Sequence, residues 1–91
     1  MRIWKFKLNR NEDGGEWLEL PEGAKFLHAA SLERNEISLW FELDPNAPME
    51  RRLFYVVATG QAVPNDAGYK WLCTVIEKGV WVWHIYERME L

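Results

Sequence analysis

Few side chains in this sequence could carry chemistry, and their spacing limits what they could do. His28 and His84 are the only histidines and Cys73 the only cysteine of the 91 residues. A small hydrolase would need an imidazole beside a carboxylate, and the pairing on offer is His84 with Asp44 or Asp66. The same residues could ligate a metal, but their spacing has none of the regularity of a ligand set, so neither metal nor cofactor is expected. There is no glycine-rich phosphate loop, His-Glu-x-x-His, Gly-x-Ser-x-Gly or paired-cysteine motif. Cys73 lies in the apolar run "YKWLCTVI", where no basic neighbour would lower a thiol pKa, and it reads as a buried, inert thiol. For His84 the plain reading is a residue of an aromatic strand with one ring nitrogen hydrogen-bonded.

The arginine pair is the better functional candidate. Arg51 and Arg52 stand where the proline-stiffened loop "DPNAPME" enters the aromatic run "LFYVV". Guanidinium groups hold phosphate or carboxylate bidentately, and neighbouring aromatic rings can stack a base. Adjacent strand residues point to opposite faces, which argues against both serving one site. With Glu50 beside them, the plain reading is a solvated ion pair contributing under about 1 kcal/mol.

The elements that must position these residues alternate with period two. In "RIWKFKL", Trp4, Phe6 and Leu8 share one face and Ile3, Lys5 and Lys7 the other. "NRNEDGG" is a turn, and "EWLELP" is a short strand stopped by Pro21, which cannot donate to a ladder. "EGAKFLHAASLERNE" suits helix or strand by composition. Its alternation of Phe26, His28, Ala30 and Leu32 against Lys25, Leu27, Ala29 and Ser31 favours a strand over 24–35, turning at Arg34–Asn35. "EISLWFELD" puts Ile37, Leu39, Phe41 and Leu43 inward and Ser38, Trp40 and Glu42 on the other side. "RRLFYVVATG" is a further strand. "YKWLCTVIEKGVWVWHIYE" is a long hairpin turning at Glu77-Lys78-Gly79. About seven short strands with little or no helix predict one all-β domain over 1–91, a compact antiparallel sandwich or small barrel.

Hydrophobic residues are 48% of the chain and charged residues 27%, a globular balance. A net charge of −3 has the wrong sign for a generic nucleic-acid binder. One cysteine excludes an internal disulfide, which fits a reducing compartment. No stretch approaches the ~20 apolar residues of a membrane span, so no membrane partner is expected. The six tryptophans say more. Trp40 lies opposite the inward set of its strand, and in "GVWVWHIYE" Trp81 and Trp83 share a face with Ile85 while Val80, Val82, His84 and Tyr86 share the other. Neither face of that strand looks made for water. Its second cover is either the chain's own second sheet or another protein layer, a second copy by C2 symmetry or a target.

Five pieces in order, "IWKFKL", "ELPEGAKFL", "LWFELDPNAPMERRLF", "ATGQAVP" and "VWVWHIYE", resemble a family of small phage- and prophage-encoded proteins of unknown function. In similar sequences the part matching Lys25–Leu43 reads as two strands. The resemblance implies an accessory protein acting in the cytoplasm of a host bacterium, and it brings no functional residues. The expected function is therefore non-catalytic binding, counter-defence being one form of it. The target is a host protein or a small anionic, nucleotide-like ligand, with self-association as an even alternative. Arg51, Arg52, Trp40, Trp81, Trp83 and His84 are the expected contact residues. A minor virion or assembly component and, behind it, the small hydrolase are the competing readings.

Overall fold

In the computed structural model, described here for residues 1–9, 15–33, 36–63 and 68–89, seven strands form two antiparallel sheets. β1 (Arg2–Asn9), β4 (Glu36–Leu43) and β3 (Lys25–Glu33) make a three-stranded sheet in that order. β2 (Glu16–Pro21), β5 (Met49–Ala58), β7 (Trp81–Arg88) and β6 (Tyr69–Glu77) make a four-stranded one. β3 approaches β6 on one flank and β1 approaches β2 on the other, but no ladder joins the sheets. The molecule is thus a sandwich and not a closed barrel. The expected turns at Arg34–Asn35 and through 10–14 lie outside the described residues, as does Asp66.

Alternation builds the core. Ile37, Leu39, Phe41 and Leu43 are fully buried, as the "EISLWFELD" pattern predicts, and meet Leu8, Leu20, Phe54, Val75 and Ile85 between the sheets. Phe41 is the hub: the rings of Phe6 and Phe26 stand edge-on to it at 5.8 Å, and that of Phe54 at 6.0 Å. Such edge-to-face pairs contribute about 0.5–1.5 kcal/mol each beyond area burial.

Register shifts depart from simple alternation at three places among the described residues, two in β3 and one in β6. In β3 the register shifts between Phe26 and His28, so that Phe26 and Ala29 both pack inward while Leu27 and His28 are exposed. In β6 it shifts between Trp71 and Cys73, so that Leu72 and Cys73 both meet the core while Trp71 and Thr74 keep the outer face. An extra residue in one strand re-aims every side chain beyond it. For this reason Phe26, His28, Ala30 and Leu32 do not share one face.

Gly15 opens β2 with φ +74°, and a Cβ there would stand 2.6 Å from the Phe54 carbonyl oxygen. At the β6–β7 turn Lys78 (φ 52°) and Gly79 (φ 70°) are both left-handed, the pair of conformations a type I′ turn uses, and the Val80 N–H closes on the Glu77 carbonyl at 3.1 Å.

Candidate functional site

Ladder register decides which candidate residues can meet. On the four-stranded sheet Phe54 and Ile85 face the core, so their neighbours face outward. Across β5, β7 and β6 the outward rows are Tyr55–Tyr86–Trp71 and then Val57–His84–Thr74. Trp17, opposite Leu53, extends this face onto β2. All three tyrosines of the chain, Tyr55, Tyr69 and Tyr86, belong to it, together with Trp17, Trp71, Arg51, Arg88 and His84. No third layer covers it among the described residues. Yet Leu53 and Val57 on this face are only 6% exposed. The side chains around them are their roof, while Trp17 and Trp71 remain 40% and 53% exposed.

The two ends of the face differ in chemistry. At the Arg51 end, the Arg51 guanidinium lies 4.6 Å over the Trp17 ring and that of Arg88 5.5 Å over Tyr69, whose ring meets Tyr55 edge-on at 5.0 Å. At the other end, the His84 imidazole is held between two hydroxyls: Nε2 is 2.9 Å from Thr59 Oγ1, and Nδ1 is 3.0 Å from Thr74 Oγ1. The Trp71 indole N–H, which can only donate, reaches Thr74 Oγ1 at 3.3 Å. With the Thr74 hydroxyl donating to Nδ1, His84 keeps its hydrogen on Nε2 and donates it to Thr59, while Thr74 accepts from Trp71. That tautomer is assigned from the network. Arg51 and the Val57–His84 row are six residues apart along β5, about 20 Å, so one small ligand does not span both ends.

The arginine pair is split, as strand geometry requires. Arg52 points between the sheets. Its Nε and Nη2 donate to the two carboxylate oxygens of Glu87, at 2.5 and 2.9 Å, and its Nη1 to the Ala24 carbonyl at 2.7 Å. The guanidinium sits 5.3 Å over Phe41 and 5.8 Å over Phe54. With Glu87 buried, this pair is an interior structural link and not part of a surface ion pair with Glu50.

The tryptophans separate too. Trp40 lies on the outer face of the other sheet, in a row with Lys5 and His28, its ring 5.9 Å from the His28 ring. Trp81 and Trp83 are on the inner side of β7 with Ile85. Trp83 packs against the core, its indole N–H bonding Glu77 at 3.0 Å, and Trp81 stacks on Trp83 while staying 58% exposed. The tryptophan face of "GVWVWHIYE" is therefore the one the second sheet covers, and the valine, histidine and tyrosine face looks out. Sequence reasoning passed over Arg88, Trp17, Trp71 and the tyrosines. The period-two pattern placed Tyr86 with His84 but did not say which face was out.

Cys73 packs against the core, and burial pushes its thiol up to about 11, so it is neutral at physiological pH. Asp44 lies just past the end of β4, its Oδ1 accepting the Asn46 N–H at 2.9 Å, and both ring nitrogens of His84 are occupied by hydroxyls. Among the described residues no group of three or more His, Cys, Asp or Glu could hold a metal ion, and no helix is long and apolar enough to cross a membrane.

A family model described as a domain of unknown function, DUF7352, matches residues 1–91. No curated protein and no solved structure matches the chain.

Proposed function

The chain belongs to the DUF7352 family, a domain of unknown function, and on that footing we propose that it is a non-catalytic binding protein that docks on another protein through the outward face of its four-stranded sheet. One observation carries this reading: the three tyrosines, two exposed tryptophans and two arginines gathered on that one face. Tyr, Trp and Arg are the residues enriched where binding energy concentrates in protein interfaces. Four strands about 4.8 Å apart and about 27 Å long give roughly 500 Å² of face, enough for the centre of a modest interface. The resemblance to phage-encoded proteins supports a bacterial cytosolic protein as the partner. An accessory role such as counter-defence is the form that resemblance favours.

The test is a native mass spectrum of the protein purified from bacterial cytosol, wild type beside three variants. A bound second polypeptide is expected in wild type and in Trp40→Ser, which alters the other sheet's face. It should be lost in Trp71→Ser and Tyr86→Ser at unchanged thermal midpoint. A bare 10.8 kDa monomer in wild type, or equal loss in Trp40→Ser, would overturn the reading. A homodimer sensitive to Trp71 would keep the face and replace the partner with a second copy.

A further inference from the structure

We propose that the free edge of β1 takes up an added strand, an extended segment of a partner protein in which acidic and apolar residues alternate. β1 lies at the end of its sheet, paired only with β4. In an antiparallel ladder, successive residues direct their N–H and C=O alternately to one neighbour and to the other. The side that β1 leaves open is marked at its last residue. The Asn9 N–H points away from β4 and donates to Glu16 Oε1 on β2 at 2.9 Å. No register shift interrupts β1, so the main-chain groups of Ile3, Lys5 and Lys7 point the same way. Among the described residues nothing accepts their N–H groups. They form a row of unpaired donors and acceptors, which is what strand addition uses.

The layers leave room beside this row. The sheet that β1 ends has three strands, and the sheet facing it has four. The two close more tightly along β3 and β6 than along β1 and β2. At the looser flank Trp4 is exposed, and Phe6 and Leu18 are only half-buried, although all three face inward. A fourth strand beside β1 would continue the smaller sheet over these side chains. Its inward positions should therefore be apolar.

Charge specifies its outward positions. Besides His28, the outer face of the three-stranded sheet carries Lys5 and Lys7 on β1, Glu36 and Glu42 on β4, and Lys25 and Glu33 on β3. These six charges cancel, but they are sorted by strand, and β1 at the edge is wholly basic. Glu42 stands between Ile3 and Lys25, and Lys7 pairs with Glu36 at 3.4 Å. Lys5, opposite Trp40, has no ion pair among the described residues. Opposite charges on adjacent strands stabilise a sheet and like charges destabilise it, so the strand next to β1 should be acidic. A second copy does not meet this need. In the two registers that overlap β1 most fully with itself, Lys5 stands opposite Lys5 or Lys7. The same lysines that turn away another β1 thus select an acidic strand. This edge belongs to the sheet opposite the docking face, so the inference does not rest on the docking reading.

The experiment titrates ¹⁵N-labelled protein with a capped peptide of about seven residues alternating valine with glutamate, followed by amide NMR. The Ile3, Lys5 and Lys7 amides should shift along one saturating curve and exchange more slowly with solvent. Those of Trp4 and Phe6, which point to β4, should move less. Lys5→Glu should weaken this peptide about fivefold and favour its counterpart alternating valine with lysine. N-methylation of one alternate set of peptide residues should abolish binding, and N-methylation of the other set should be tolerated. Trp71→Ser, on the docking face, should leave the titration unchanged, so the two readings fail separately. No saturable shift at the three amides, equal affinity for the glutamate and lysine peptides, or equal effects of the two N-methylated sets would overturn the proposal. So would slow, concentration-dependent exchange of these amides in the free protein, which would mean that a second copy fills the edge.

Discussion

Arg52 and Glu87 form a buried ion pair whose worth depends on both members being present. Desolvating two charges roughly cancels their attraction, so such a pair adds little net stability over apolar residues of the same shape. Removing one partner leaves the other charge buried and alone. Arg52→Met should therefore cost about 3–5 kcal/mol in urea unfolding, and Arg52→Met with Glu87→Leu should return to within about 1–2 kcal/mol of wild type. A double variant as unstable as the sum of its singles would show that the two residues act independently. Arg51, one position earlier, faces outward over the Trp17 ring and has no part in this pair. Neighbours in sequence, the two arginines belong to different chemistries because a strand turns alternate side chains through 180°.

At the scale of elements, the strands owe their placement to alternation and their departures from it to bulges and left-handed residues. Gly15→Ala tests the second kind of control. A Cβ there meets the Phe54 carbonyl oxygen at 2.6 Å and the Tyr55 ring at 3.0 Å, from a backbone with φ +74°. The expected loss is about 2 kcal/mol or more, combining a left-handed alanine with a displaced strand. Because Tyr55 belongs to the outward face, the same variant should move the Tyr69 ring that packs on it at 5.0 Å. A thermal midpoint within one degree of wild type would mean that the start of β2 shifts freely. The sheet edges are kept from pairing with further copies of the chain by local devices: Lys5 and Lys7 on β1, Pro21 on β2, and the bulges of β3 and β6.

For the whole molecule, the order of stability should follow the layering. β4 is hydrogen-bonded on both sides and contributes four fully buried side chains, Ile37, Leu39, Phe41 and Leu43. Its amides should exchange only through global unfolding, while the outer-edge amides of β1 and β2 exchange orders of magnitude faster. Native-state hydrogen exchange checks this, and a β4 no more protected than β1 would argue against a core centred on Phe41. The same layering makes the two outer faces unlike. One carries Lys5, Trp40 and His28 in a single cross-strand row; the other carries the tyrosines, two tryptophans and two arginines proposed as the contact surface.

Much of this was legible in the sequence. Period-two alternation, turn residues and the absence of helical periodicity determine an all-β chain of seven strands, and the inward set of β4 can be read directly from "EISLWFELD". The separation of Arg51 from Arg52, and the grouping of His84 with Tyr86, follow from alternation alone. Tertiary structure decided what alternation leaves symmetric. It chose the tryptophan face of β7 for the core and turned the tyrosine face outward. It brought Glu87 to Arg52 across 35 residues. The physical reason is that a strand's two faces are equivalent until a second sheet covers one of them. Which sheet lands where, and which side chains from distant strands then meet, depends on long-range packing that no local pattern records.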